Sequence, residues 1–260
     1  MSAPIKAVVS DLDGVVYRGE IPMPGAVEAI AAWKTRGVPY LFVTNNASKS
    51  SEQFAAKLNG MGVDIGPEGV LTAGDAAASH IGHQFGRGTR TFVIGEKVLF
   101  EAAEREGLTV ADAADVEVVL LGFDYGLNYA KLTVAVQALL NGAKLVVTNP
   151  DVLTLTSDGY EPCVGATLAL LKASVPEVEP VVAGKPSPVM IREALARLGS
   201  SPEHTIMVGD QVVTDIMAGQ SAGLRSFLLT TGVPARPVDG ITPDAMIQTL
   251  LDIEVSGPAG

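Results

Sequence analysis

Two aspartates near the start of the chain, Asp11 and Asp13, carry the clearest chemical signal in the sequence. They follow a short apolar run, Ala7 to Val9, that favours a buried strand, and Gly14 after them favours a turn. Residues two apart on an extended chain point the same way, so both carboxylates can face one site. Such a pair suits a hard cation such as Mg²⁺, with one aspartate as nucleophile and the other handling the proton. The alternative is a solvated acidic turn.

The elements after this pair predict a parallel sheet. A helix is expected up to Arg36, then a strand from Tyr40 to Val43 that leads into Thr44. The next helix is expected from about Ser50, where Ser50 and Gln53 suit a capping box. Strands that alternate with helices favour a parallel sheet, whose ligands gather at the carboxyl ends of the strands.

The same pattern returns near the end of the chain, after a stretch of different content. A strand at 181–183, a helix at 188–198 capped by Ser187, and strands at 205–208 and 225–229 are expected. Between the two halves, the expected elements are strands at 91–94, 116–121 and 144–147 and helices at 96–106, 129–140 and 165–173. The simplest organisation is one domain made of residues 1–74 and 181–260, with an inserted α/β domain at 75–180 that acts as a lid.

Further polar residues follow the expected strands. Lys185 could hold a phosphate oxygen, and Thr44 and Asn45 offer a hydroxyl and an amide near a helix N-terminus. Asp210 could complete a metal site, and Asp215 could orient waters or Lys185. Taken singly, each of these residues could instead have an ordinary structural role, as a helix cap or an exposed loop residue. Together they form the set needed to bind Mg²⁺ and a phosphoryl group and attack it in line.

Composition bounds the possible partners. The chain has 260 residues, 47% of them hydrophobic and 18% charged, which is typical of a globular protein. A net charge of −11 argues against nucleic-acid and anionic-membrane binding, and there is no apolar run of the roughly 20 residues that span a bilayer. The single cysteine, Cys163, excludes an intrachain disulfide and fits a reducing, cytoplasmic compartment.

Four segments resemble the ordered motifs of the haloacid dehalogenase (HAD) superfamily, and the likeness to its NagD-like, 4-nitrophenylphosphatase-type branch covers nearly the whole chain. The segments are Asp11-Leu12-Asp13-Gly14, Thr44-Asn45-Asn46, Gly184-Lys185-Pro186, and Gly209-Asp210 through Asp215. The resemblance implies a Rossmann-like, doubly wound parallel-sheet core with a large inserted α/β cap domain of type IIA.

The resemblance also implies roles for the motif residues. Asp11 would be the nucleophile that forms an aspartyl phosphate, and Asp13 would be the general acid and base. Thr44 and Lys185 would bind the phosphate. The implied Mg²⁺ ligands are Asp11, the Asp13 carbonyl and Asp210, with Asp215 as a supporting acid.

Segments of the expected cap also resemble recurrent segments of the branch. One of them, residues 148–151, contains Asn149 and Asp151, which with Asn45 are candidates for substrate binding. The chain departs from the branch at residues 162–165, which read Pro-Cys-Val-Gly where Pro-Gly-x-Gly is usual, and this loosens any transfer of substrate preference. Family likeness also suggests a homodimer through the cap.

The expected function is a Mg²⁺-dependent phosphatase that acts on a small phosphorylated metabolite. A dehalogenase or a phosphotransferase on the same fold, or a silent phosphometabolite-binding protein, are the alternatives. Asp13 argues against the dehalogenase, because a halide leaving group needs no proton and an alkoxide does. Nucleotide, sugar, glycerol or glycolate and pyridoxal phosphates all stay open as substrates.

Overall fold

The computed structural model describes residues 3–156, 159–231 and 236–256. The chain forms two compact units. The first comprises Met1–Thr44, Ser50–Leu71 and Lys185–Gly260, and the second comprises Asn45–Lys49 and Thr72–Gly184. The second unit therefore includes a short segment that directly follows Thr44.

The helices and strands are numbered in chain order. The α-helices are α1 (Ala26–Thr35), α2 (Ser51–Gly60), α3 (Ala73–Phe85), α4 (Lys97–Arg105), α5 (Tyr129–Leu140), α6 (Val164–Ser174), α7 (Pro188–Leu198) and α8 (Met217–Ser221). The strands are β1 (Ala7–Asp11), β2 (Tyr17–Arg18), β3 (Ile21–Pro22), β4 (Tyr40–Thr44), β5 (Val70–Thr72), β6 (Arg90–Ile94), β7 (Thr109–Val110), β8 (Val118–Leu121), β9 (Lys144–Val147), β10 (Leu153–Thr156), β11 (Gly159–Pro162), β12 (Val181–Val182), β13 (Thr205–Gly209), β14 (Arg225–Leu229) and β15 (Ala245–Ile247).

A six-stranded sheet in the order β15-β14-β13-β1-β4-β5 is the centre of the first unit. Strand β1 lies in the middle, parallel to both β13 and β4, and is buried along its whole length. Its last residue, Asp11, pairs with Val43, and Ser10 pairs with Val208. The carboxyl ends of β1, β4 and β13 therefore meet at one edge of the sheet, as the strand-helix alternation predicts.

Local sequence signals explain the helices of this unit. Helix α1 turns Ala26, Ile30 and Trp33 toward the core, as their spacing predicts. Helix α2 begins with the predicted capping box, in which Ser50 and Gln53 each accept from the other's backbone N–H. Helix α7 begins at Pro188, and the hydroxyl of Ser187 accepts from the N–H of Val189.

The second unit has its own five-stranded sheet, in the order β12-β9-β8-β6-β7, with every neighbouring pair parallel. Its core contains Leu121, Leu145, Leu171 and their neighbours. A separate antiparallel hairpin, β10–β11, leads into helix α6. The predicted α/β class with parallel sheets is thus confirmed.

Strand β12 differs from the expectation. The sequence pattern predicts that residues 181–183 resume the first half of the chain, but β12 is parallel to β9 in the sheet of the second unit. A two-residue strand carries too little pattern to indicate which sheet it joins. Within the part of the chain that the structure describes, no helix combines the length and apolar character of a membrane span.

Candidate active site

Lys185 is the centre of a buried ion-pair network in the first unit. Its Nζ donates to Asp11 Oδ1 and to Asp215 Oδ1, both at 2.6 Å. All three residues are buried, and Asp215 is only 1% exposed. Because a buried charge is tolerated only when it is paired, the ammonium and the two carboxylates depend on each other.

Each member of this network comes from a different part of the chain. Asp11 ends β1, Lys185 follows the last residue of the second unit, and Asp215 lies in a π-helical turn, Val212–Ile216, after β13. The second carboxylate oxygen of Asp215 accepts from the backbone N–H of Gln211 at 3.0 Å. Both oxygens of Asp215 are therefore held by donors, and of the two roles expected for Asp215 the geometry favours the orientation of Lys185.

Asp210 brings a third carboxylate to the same place. It directly follows β13 and is buried. Ligand oxygens of Asp11, Asp210 and Asp215 all lie within 4.8 Å of one another, and these three form the cluster with metal-binding spacing found among the described residues. Gly14 packs against Asp210 so closely that a Cβ there would lie 2.2 Å from Asp210 Oδ2. The last position of the first motif therefore needs a glycine.

Burial and charge crowding shift the pKa values in this cluster. Burial raises the pKa of Asp11 to about 7, although Lys185 acts to lower it. Burial, followed by the charge of Asp215, also raises the pKa of Asp210. For Lys185, burial is the largest influence and acts downward, but the charges and hydrogen bonds of Asp11 and Asp215 outweigh it and raise the pKa. The lysine is thus held as a cation.

The cluster fits a divalent metal ion. Three ionised carboxylates against one ammonium leave an excess of two negative charges in a buried place, which a divalent cation would neutralise. All the side-chain donors are carboxylate oxygens, the type that hard ions such as Mg²⁺ take. Asp11 and Asp210 are the expected metal ligands that lie in the cluster.

Asp13 and Thr44 lie beside this network. The side chain of Asp13 is exposed, and its carboxylate is not part of the described three-carboxylate cluster, so a contribution to a metal site would come from its carbonyl. Burial, followed by the charges of Asp13, Asp11 and Glu20, raises the pKa of Tyr17. Thr44 is buried at the end of β4, one residue beyond the partner of Asp11.

The other expected substrate-binding residues belong to the second unit. The Asn149 side chain donates to the backbone carbonyl of Asn45 at 3.2 Å, and the N–H of Asp151 donates to Asn149 Oδ1 at 3.1 Å. These three residues line a cavity of about 410 Å³. The structure thus brings together Asn45, Asn149 and Asp151 as a group of their own.

An aromatic pair in this cavity was not predicted as part of the site. Phe123 and Tyr125 meet edge to face, with ring centroids 4.6 Å apart, and both line the cavity. Both residues lie in the segment between β8 and α5, where the sequence has no periodic signal that would identify them. Cys163 also lines the cavity. In the adjoining segment, a Cβ on Gly165 would lie 2.3 Å from the carbonyl oxygen of Pro150, so the last glycine of the 162–165 turn is needed for close packing.

Comparison with known proteins matches two family models to the two ends of the chain. Residues 8–109 match the haloacid dehalogenase-like hydrolase family, and residues 182–253 match the HAD-hydrolase-like family. The 5'-nucleotidase YutF of Bacillus subtilis is 38% identical over 231 residues, which are 89% of each chain.

Solved structures agree in fold. A point mutant of the thermostable p-nitrophenylphosphatase of Bacillus stearothermophilus has a TM-score of 0.89 and 34% identity, over 98% of this chain and all of the other. NagD from Escherichia coli K-12 has a TM-score of 0.87 and 30% identity, over 98% and 100% of the two chains.

The chain belongs to the family of haloacid dehalogenase-like hydrolases, in its NagD-like branch. This confirms the resemblance seen in the four motifs and the Rossmann-like core with a cap that it implied. It also confirms the predicted enzyme class, a phosphoric monoester hydrolase.

Proposed function

We propose that the protein is a Mg²⁺-dependent phosphatase that hydrolyses small phosphomonoesters through a phosphate ester of Asp11. The observation that carries this proposal is the position of Lys185, whose ammonium is shared between Asp11 and Asp215 while Asp210 adds a third carboxylate. Lys185 and the hydroxyl of Thr44 would bind the phosphate oxygens. The ammonium would also hold Asp11 in one orientation for attack.

Two displacements at phosphorus account for the reaction. In the first, a carboxylate oxygen of Asp11 forms a bond to phosphorus, the ester P–O bond breaks, and Asp13 gives its proton to the leaving alkoxide. In the second, Asp13 takes a proton from a water molecule, whose oxygen attacks phosphorus and releases inorganic phosphate. Asp11 is then free again, and Asp13 is protonated for the next cycle.

Asp11, the carbonyl of Asp13 and Asp210 would hold Mg²⁺ in this proposal. When bound, the ion would offset the negative charge of the phosphoryl group, which otherwise repels the carboxylate of Asp11. Because Asp11, Asp210 and Asp215 already crowd three carboxylates together, its binding would also relieve repulsion within the protein.

We propose that the second unit is the substrate-selecting cap, with its cavity of about 410 Å³ taking the organic part of the substrate. Among the described residues that line this cavity there is no lysine or arginine; the lining includes Asp151, three asparagines and the Phe123–Tyr125 pair. An anionic leaving group such as glycolate would find no cationic side chain there. The lining favours a neutral group with hydroxyls or an aromatic ring, as in sugar phosphates and nucleoside monophosphates. Assembly as a homodimer and a cytoplasmic location stay predictions.

A panel of phosphate esters tests the proposal. Wild type should release phosphate with Mg²⁺ and not with EDTA, and Asp11→Asn should release none. The matched control is Asp64→Asn, which changes an exposed aspartate of the same unit that pairs with Lys34. Acid-quenched wild type should yield a phosphorylated peptide that contains Asp11, seen by mass spectrometry. Full activity of Asp11→Asn would exclude the mechanism, and phosphate transfer to an added alcohol in place of water would favour the phosphotransferase.

A further inference from the structure

Lys57 is a largely buried lysine outside the four motifs. It lies on α2, and its side chain is only 17% exposed. Its Nζ lies 3.9 Å from the centre of the Tyr17 ring and 3.4 Å from Oε1 of Glu20. Since Glu20 is itself 85% exposed, that ion pair is strongly screened, and the ring is the buried partner of the ammonium.

The ring of Tyr17 belongs to the turn that carries Asp13. The backbone N–H of Gly14 donates to the carbonyl of Tyr17 at 2.7 Å, and Asp13 forms a backbone bridge with Tyr17. The carbonyl of Leu12 accepts from the N–H of Val16 at 2.8 Å. Residues 12–17 are therefore one tightly closed turn, with Tyr17 at the far end.

The two ends of this turn differ in how they are held. Tyr17 is 3% exposed and packs in the core of the first unit, whereas the Asp13 side chain is exposed. The turn is thus fixed through the Tyr17 ring, and Lys57 covers that ring from α2. A cation over an aromatic face is stronger where it is shielded from water, as Lys57 is.

We propose that Lys57 is a positioning residue for the proton-transfer step: through the ring of Tyr17 it fixes the 12–17 turn and thereby the carboxyl group of Asp13. This inference rests on the proposed function, in which Asp13 protonates the leaving alkoxide. Lys57 itself does not touch the reacting atoms in this role. Its loss should therefore weaken proton donation and leave attack by Asp11 largely intact.

The dependence on the leaving group tests this directly. An alkyl phosphate needs a proton on its leaving oxygen, whereas p-nitrophenolate leaves readily without one. In Lys57→Met, the single-turnover rate of leaving-group release should fall about tenfold for an alkyl phosphate and less than about twofold for p-nitrophenyl phosphate. This rate reports the first displacement alone, because the second, in which Asp13 activates water, is common to both esters. Lys57→Arg should restore the alkyl ester rate, because a guanidinium also binds an aromatic face.

Lys34→Met is the matched control. Lys34 is a lysine of the same unit that also pairs with an acidic residue, Asp64, but its side chain is 54% exposed. It should leave both rates unchanged. Equal losses on both esters in Lys57→Met, or no loss on either, would overturn the proposal. If Lys57→Met does not fold, Lys57→Gln is measured in the same way with the same two outcomes. Absence of any activity in wild type would instead refute the proposed function.

Discussion

Replacing Gly14 by alanine should change two properties that can be measured separately: the affinity of the proposed site for Mg²⁺ and the free energy of unfolding. Gly14 has φ +86°, and a Cβ there would lie 2.2 Å from Oδ2 and 2.7 Å from Cγ of Asp210. Gly19 offers the matched control, because it also has a positive φ, +58°, but a Cβ there would meet nothing within 4 Å. Gly14→Ala therefore combines backbone strain with a collision at Asp210, and Gly19→Ala has the strain alone.

Backbone strain should lower the free energy of unfolding, whereas the collision with Asp210 should also weaken the binding of Mg²⁺. A left-handed conformation costs an alanine about 1–2 kcal/mol, so the strain alone should lower the free energy of unfolding of both variants by about that much. For a chain of this length, each kcal/mol lowers the melting temperature by about 2–4 °C. The collision acts only on Gly14→Ala, where the Asp210 carboxylate must move away from its place beside Asp11. We expect the affinity of the Gly14→Ala protein for Mg²⁺ to fall about 10- to 100-fold, which is the typical loss when a group that orients a metal ligand is removed.

Calorimetric titration with Mg²⁺ and thermal unfolding in EDTA measure the two effects apart. In EDTA, Gly14→Ala should melt at the temperature of Gly19→Ala or below it, because the collision adds to the strain, and only Gly14→Ala should bind Mg²⁺ weakly. If both variants bind Mg²⁺ as wild type does, Asp210 is not a ligand whose position Gly14 sets, and the assignment of the metal site is wrong.

Three further predictions concern single groups. Burial raises the pKa of Asp11 from 3.8 to about 7, so between these pH values the folded metal-free protein holds a proton that the unfolded chain has lost. The stability of the protein should therefore fall as pH rises from about 4 to 7. Asp11→Asn should flatten that slope in melting curves recorded in EDTA. Burial raises the pKa of the Cys163 thiol, so iodoacetamide should alkylate it more slowly at pH 8 than it alkylates free cysteine, as followed by mass spectrometry. Ser50→Ala removes the capping box of α2 and should cost about 1 kcal/mol in denaturant unfolding. Because Lys57 lies in the last turn of α2, away from this cap, kcat should be unchanged. A free energy of unfolding equal to that of wild type would contradict the role of the cap.

Local sequence signals predicted the helices well, because their ends are fixed by short-range contacts. Helix α5 was predicted over 129–140 and α7 over 188–198, and both have those bounds. Asn128 caps α5 through a hydrogen bond to the N–H of Lys131, and Ser187 caps α7. These contacts span three residues or fewer, so the sequence itself contains them.

Pairing between distant segments could not be predicted in the same way. The hairpins β2–β3 and β10–β11 and the π-helical turn at Val212–Ile216 were not expected. A strand of two residues has no periodicity to detect, and each strand of a short hairpin is defined only by its pairing with the other strand. The sheet that β12 joins depends in turn on its register with β9, in which Val181 pairs with Val146.

At the candidate active site, the sequence motifs indicated the candidate residues, and the structure gives their distances and burial. The sequence indicated that Asp11, Lys185 and Asp215 lie at one sheet edge, because parallel strands align their carboxyl ends. For Lys185 that reason fails, since β12, the strand before it, belongs to the sheet of the second unit. The sequence could not indicate that one buried ammonium is shared between two carboxylates at 2.6 Å, with a third nearby. Burial raises the pKa values of Asp11 and Asp210, and the charge of Asp215 adds to both shifts, so keeping the two carboxylates ionised here is unfavourable for the chain alone. A stable fold gains nothing from such buried, crowded carboxylates, so their presence at the strand ends supports the proposed function, in which they would bind a cation and a phosphoryl group.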